Sequence, residues 1–300
     1  LPAARERRAF LQASLGAEHE RQLNPGDAQL GDRAPRGKFP RRQAPGGTPR
    51  TLGAAAALAV CGAWAWRGVP PAYTHVLKVC AGTVTTMLPL AAFMRSIGSF
   101  RASGVFNPWR EHDPAADRDT NAPAARRARL RAHLDCDPVL LLLGEAAGYQ
   151  GCHVSGIPFT SERLLLAGAV PRVATPRTRL STRVLPWSEP SATIVWGALH
   201  ELGLGDRTIL WNAFPWHPHL PGRLQSNRTP TPSEVALGAA PLALLLAAFP
   251  GVHVVAVGRK ADTLLRGLGR VEAVLRHPAM GGAEHFRAGL RALVRRLPAL

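Results

Sequence analysis

A carboxylate at Glu145, a side-chain amide at Asn212 and an imidazole at His277 each stand at the end of an apolar run. Their settings are Gly144-Glu145-Ala146-Ala147-Gly148, Trp211-Asn212-Ala213-Phe214-Pro215 and Arg276-His277-Pro278-Ala279-Met280. A turn with two glycines lets backbone N–H groups approach a ligand closely. An amide adds one acceptor and two donors, and an imidazole adds a donor or an acceptor. Together they suit a polar ring. His217 and His219 lie two residues apart, but no carboxylate or thiolate accompanies them, so no metal site is expected.

These groups meet only if the apolar runs are neighbouring strands. Val139 to Leu143, Thr208 to Trp211, Val252 to Val257 and Val271 to Leu275 read as short, fully buried strands. Helical patterns fall between them and at the ends: Ala122 to Leu134, Ser191 to Leu204, Ser233 to Phe249, Lys260 to Leu268 and Ala283 to Leu297. Strands joined through helices make right-handed βαβ units and a parallel sheet covered on both faces. The expected fold is therefore α/β, three layers with a four-stranded parallel sheet. In such a sheet, ligands sit outside the carboxyl ends of the strands, where the three segments gather.

The order of these segments resembles the uracil-DNA glycosylase superfamily, especially the branch whose first motif reads Gly-Glu-Ala-Pro-Gly. The matching residues are Gly144 to Gly148, Ser155-Gly156-Ile157-Pro158-Phe159-Thr160, Asn212, and His277-Pro278, spread over residues 100 to 300. The resemblance implies that Phe159 stacks on a flipped base, which is worth about 1–3 kcal/mol. It implies that Asn212 reads the base edge and that His277 donates to the uracil O2 as negative charge develops. Glu145 would orient water or offset the sugar cation. Ala146, Gly148 and Tyr149 would line the base, with Tyr149 against the thymine 5-methyl group, and Met280 would enter the duplex as a wedge. Ala146 stands where the most active relatives carry Asp or Asn, and Ala147 replaces the proline. The branch commonly carries an iron-sulfur cluster on four cysteines. Cys61, Cys80, Cys136 and Cys152 have neither CxxC pairs nor regular spacing, so no cluster and no other cofactor is expected.

The activity this implies is hydrolysis of the N-glycosidic bond of uracil in DNA, single- or double-stranded, after the base is extruded. No lysine lies in the motifs to form a Schiff base, so the enzyme is expected to be monofunctional. Two other readings stay open: a weak or inactive member that binds DNA or a free base, and a glycosylase for hypoxanthine or xanthine.

The net charge of +17 favours a polyanionic partner. Arg, Ala, Pro and Gly are abundant throughout, so charge alone also fits a general compositional bias. Arg172, Arg177, Arg179 and Arg183, in a Pro/Thr-rich stretch, are candidates to track DNA phosphates. Residues 1–95 read as an extension, with an Arg/Pro/Gly-rich stretch from Ala34 to Arg50 expected to be disordered and an apolar Thr51 to Trp66 too short to span a bilayer. Residues 96–300 would form the catalytic domain and suffice for chemistry. A cytoplasmic monomer that does not engage membranes is expected.

Overall fold

The structure, a computed structural model, describes residues 88–267 and 271–297. The expectations for Ala34 to Arg50, for Thr51 to Trp66 and for Cys61 and Cys80 lie outside those residues. The central sheet holds β2 (Leu140–Ala146), β3 (Thr208–Phe214), β5 (His253–Val257) and β6 (Ala273–Leu275). Its order is β3-β2-β5-β6, with every pair parallel. A small ribbon pairs β1 (Val105–Phe106) with β4 (His217–Pro218) in antiparallel fashion.

Side chains alternate across a strand, and β2 divides accordingly. Leu141 and Leu143 enter one core with Trp211, Ala256 and Leu265, while Leu140 and Leu142 enter another with Leu210, Val255 and Val257. Against the first face lie α1 (Pro123–Leu134), α5 (Pro232–Leu237), α6 (Ala239–Ala248) and α7 (Arg259–Gly267). Against the second lie α3 (Glu162–Leu166), α4 (Pro190–Glu201) and α8 (Ala283–Val294), and the short α2 (Cys152–Ser155) follows β2. This is the expected three-layer α/β fold with its four parallel strands.

The predicted helix over Ser233 to Phe249 is two helices that meet at Gly238. A Cβ there would run into the Ala213 carbonyl of β3, so the break lets the chain approach the sheet. The start of α5 is a capping box in which Thr231 and Glu234 each accept from the other's backbone N–H. At the free edge of β3, the Leu210 N–H donates to His133 Nε2 at 3.0 Å. That side chain satisfies an edge donor that no strand covers. Burial, with Arg172 nearby, pushes the pKa of His133 down to about 3, so it serves as a neutral acceptor.

A division at residues 95 and 96 falls inside a helical stretch, 88–99. Phe93 and Ile97 are fully buried, and Phe93 stands edge-on to Trp211 at 4.9 Å. Asn107 fastens the end of that stretch by donating to the Ile97 and Phe100 carbonyls. The folded unit therefore begins before Ser96, because an aromatic that closes one face of the sheet lies upstream of it.

Candidate active site

The three chemistry-bearing segments meet at the carboxyl end of the sheet. Pairing of β2 with β3 runs further than the apolar runs suggested, placing Gly144 opposite Asn212 and Ala146 opposite Phe214. Asn212 thus sits within β3, and Glu145 and Ala146 form the end of β2. Glu145, Ala146, Gly148, Phe159, Asn212 and His277, together with Cys152 and Glu189, line one cavity of about 50 Å³. It adjoins a cleft of about 650 Å³ that shares Glu145, Ala146, Gly148, Glu189 and His277 and whose wall includes Asn227, Arg228 and Met280.

Phe159 reaches this cavity through an unusual backbone. Its φ of 49° is left-handed, a conformation that a bulky residue adopts only when its surroundings impose it. On one side Ser155 Oγ accepts from the Ile157 N–H, and Gly156, at φ 76°, closes α2 against α1 where a Cβ would stand 2.6 Å from that of Arg126. On the other side Thr160 Oγ1 donates to the Pro158 carbonyl and accepts from Trp196 Nε1, both at 3.0 Å. The Phe159 ring lies beside Gly144, where a Cβ would collide with the ring edge. It lies 6.2 Å from the His277 ring, tilted by 35°.

Asn212 is 3% exposed. With the side-chain amide assigned in the orientation that satisfies both of its ends, its nitrogen donates to the Trp211 carbonyl and its oxygen accepts from the Ala147 N–H, each at 3.2 Å. An amide has two N–H bonds and two lone pairs on oxygen, so one donor and one acceptor direction remain for a ligand.

His277 follows β6 by two residues, and Pro278 keeps the chain extended. The Ala279 N–H donates to Nδ1 at 3.1 Å, which makes Nδ1 an acceptor and leaves Nε2 to carry the proton. Burial, aided by the charge of Arg276, holds the imidazole below its ordinary pKa. His277 is therefore a neutral N–H donor at neutral pH.

A buried chain ties the surrounding loops together. His153 on α2 lies 3.4 Å from Asp113 through Nε2 and 2.9 Å from His217 through Nδ1, and His217 Nε2 lies 2.8 Å from the Ser226 carbonyl. Burial depresses both imidazoles, His217 to about 3. Asn227, next to Ser226, accepts from the Tyr149 N–H at 3.1 Å and so holds the end of the first motif.

Several expected residues stand elsewhere. Tyr149 is not among the residues that line the cavity or the cleft. Its ring is edge-on to Trp187 at 5.3 Å, which leaves the 5-methyl role without a contact. Arg172 donates to the His133, Gly205 and Thr208 carbonyls, at the opposite, amino end of β3. Arg179 is bonded to Glu162 and to the Arg183 and Val184 carbonyls, bracing a loop. Both guanidiniums make several hydrogen bonds within the protein. Arg177 and Arg183 are exposed, and Arg183 lies over the Trp187 ring at 3.9 Å. Met280 is 91% exposed, with a left-handed φ of 53°, on the rim of the cleft. Glu189 was not foreseen. It precedes Pro190 at the start of α4 and reads in sequence as an ordinary helix-start residue, with no local signal of the cavity it lines.

Among the described residues no group of His, Cys, Asp and Glu could hold a metal ion, and no helix is long and apolar enough to cross a membrane. Comparison with curated proteins gives no match. Among solved structures the chain is similar to the crystal structure of wild-type SMUG2 from Pedobacter heparinus, at 15% identity and a TM-score of 0.47, over 68% of this chain and 98% of that one. Residues 132–298 match the family model described as "Uracil DNA glycosylase superfamily". That match spans more than half of the chain and takes in Glu145, Phe159, Asn212 and His277, and the protein belongs to the uracil DNA glycosylase superfamily.

Proposed function

We propose that the protein is a monofunctional DNA glycosylase that removes uracil from DNA by hydrolysing the bond between uracil N1 and the deoxyribose C1′. The observation that carries this reading is the pairing of Asn212 with a neutral, Nε2-protonated His277 around one cavity beside Phe159. The free acceptor direction of Asn212 matches uracil N3–H and its free donor matches O4. Cytosine presents the reverse pattern at the same edge.

The target bond cannot be reached inside the stack, so the nucleotide must be flipped out. Phe159 then supports the ring. As the bond breaks, the electron pair passes to uracil, and the Nε2–H of His277 donates to O2 where negative charge grows. A donor already aimed at developing charge lowers the barrier without reorganisation. Glu145, half-buried at the cavity wall, offsets the positive charge on the sugar. Ala146 and Gly148 complete the wall, Met280 fills the gap left in the duplex, and Arg177 and Arg183 supply phosphate contacts. The reading includes a cytoplasmic monomer without a bound cofactor.

Ala146 favours a second reading, a weakly active member or one directed at another deaminated base, because its methyl group offers the water nothing. Incubation with single-stranded and mismatched oligonucleotides that carry uracil, hypoxanthine or xanthine, followed by alkaline cleavage, tests the choice. Strand scission at uracil is expected. Scission only at hypoxanthine or xanthine would favour the second reading.

A further inference from the structure

Glu189 lines the same cavity as Glu145, Asn212 and His277, and also faces the outer cleft. It is the N-cap residue of α4, yet its side chain makes no capping hydrogen bond. Its Oε2 is buried and has no hydrogen-bond partner. A buried carboxylate oxygen without a donor destabilises a fold, so packing gives no reason for it here. The opposing position is Gly151, where a Cβ would collide with Oε2. A residue without a side chain at 151 leaves room for this oxygen.

We propose that Glu189 is the general base that takes the proton from the attacking water; this rests on the glycosylase reading above. The missing polar group at Ala146 is thus supplied from α4. As the C1′–N1 bond breaks and its electron pair leaves with uracil N1, the water oxygen forms a bond to C1′. The water's proton passes to Glu189, and the uracil anion is held by His277. The protonated carboxyl returns its proton to solvent after product release.

Burial raises the pKa of Glu189 to about 7, which suits a base that must accept and release a proton near neutrality. The ionisable groups facing it are Glu145 at the end of β2, the Cys152 thiol on α2, which burial and Glu189 itself push up, and His277 after β6. Arg163 of α3 bonds Thr193 in the first turn of α4. His277 lies below its ordinary value, so its titration falls on the acid side of that of Glu189.

Single-turnover uracil release, measured from pH 5 to 9 for the full chain and for Glu189→Gln and Glu145→Gln, tests the assignment. For the unaltered protein the rate should rise with pH and level off above about 7. Glu189→Gln should lose about 10²–10³-fold and this upper break, while Glu145→Gln should be slower and retain it. Formate should partly restore Glu189→Ala, as a small carboxylate can enter the vacated space. Uracil release by Glu189→Gln within about threefold of the unaltered protein, with the same pH profile, would overturn the base role while leaving the glycosylase reading intact. No uracil release by the unaltered protein would overturn both.

Discussion

Gly144 and Asn212 face each other across the β2–β3 ladder, and a Cβ on Gly144 would stand 2.7 Å from the Asn212 amide. The same Cβ would meet the Phe159 ring. A single missing side chain therefore sets the position of both groups assigned to hold the base. Gly144→Ala should displace them together and slow uracil release by at least about 10-fold through loss of positioning. The thermal midpoint should fall by only a few degrees. Unchanged single-turnover rates would show that neither group needs its present place.

Phe93 closes one face of the sheet against Trp211. Truncation of a fully buried phenylalanine costs about 3–5 kcal/mol. A chain that begins at Ser96 lacks Phe93 and Met94 and should be much less stable in urea than one that begins at Leu88. Equal midpoints for the two would show that the helical stretch 88–99 adds nothing to the core.

Met280 projects from a strained backbone at the rim of the cleft. Met280→Ala should reduce excision from paired DNA more than from single strands, since only a duplex must be unstacked. The ratio of the two rates is the observable. An equal loss on both substrates would remove the wedge role.

Stability should fall in mild acid. His133 and His217 are both held near pKa 3 by burial, so the unfolded chain takes up their protons first, from pH 6.5 downward. Their contribution is present above pH 6.5 and is lost as pH falls toward 3. Glu189, raised to about 7, works in the opposite direction: the stability it lends is present below about pH 4.5 and is lost as pH rises through 7. Between pH 5 and 6.5 the two histidines outweigh Glu189, and His153 and His277, also held below their ordinary value, act in the same direction, so stability falls as pH drops and does so more steeply toward pH 5. Urea unfolding across that range checks the sign. Glu189→Gln should make the protein more stable at pH 8, by at most ~3 kcal/mol.

The sheet was legible because each of its four strands is a short apolar run bounded by turn residues, and helices of ordinary length lie between them. The positions of Phe159, Asn212 and His277 were legible from motifs that mark strand ends and a close glycine turn. Arg172 and Arg179 were not, because a run of arginines looks the same in sequence whether its guanidiniums meet carbonyls or water. Tyr149 adjoins the first motif in sequence, yet Trp187, far along the chain, takes up its ring. Glu189 was hidden for the same reason: what makes it unusual is Gly151 across from it, and no local pattern encodes that meeting. The break at Gly238 was hidden by the continuous apolar content of the two helices around it.

The central claim is that this cavity recognises uracil through Asn212, and Asn212→Asp tests it most directly. The change keeps the shape and replaces the N–H donors with an acceptor oxygen when the residue is ionised, so one match to uracil becomes acceptor against acceptor. An unpaired buried polar group costs about 1–3 kcal/mol, enough to shift preference by an order of magnitude or more. The measurement is the single-turnover release of free base from oligonucleotides that carry uracil or cytosine at one position. The unaltered protein should release uracil alone, and Asn212→Asp should lose most of that activity and begin to release cytosine. Uracil release at the same rate by both proteins would contradict the account.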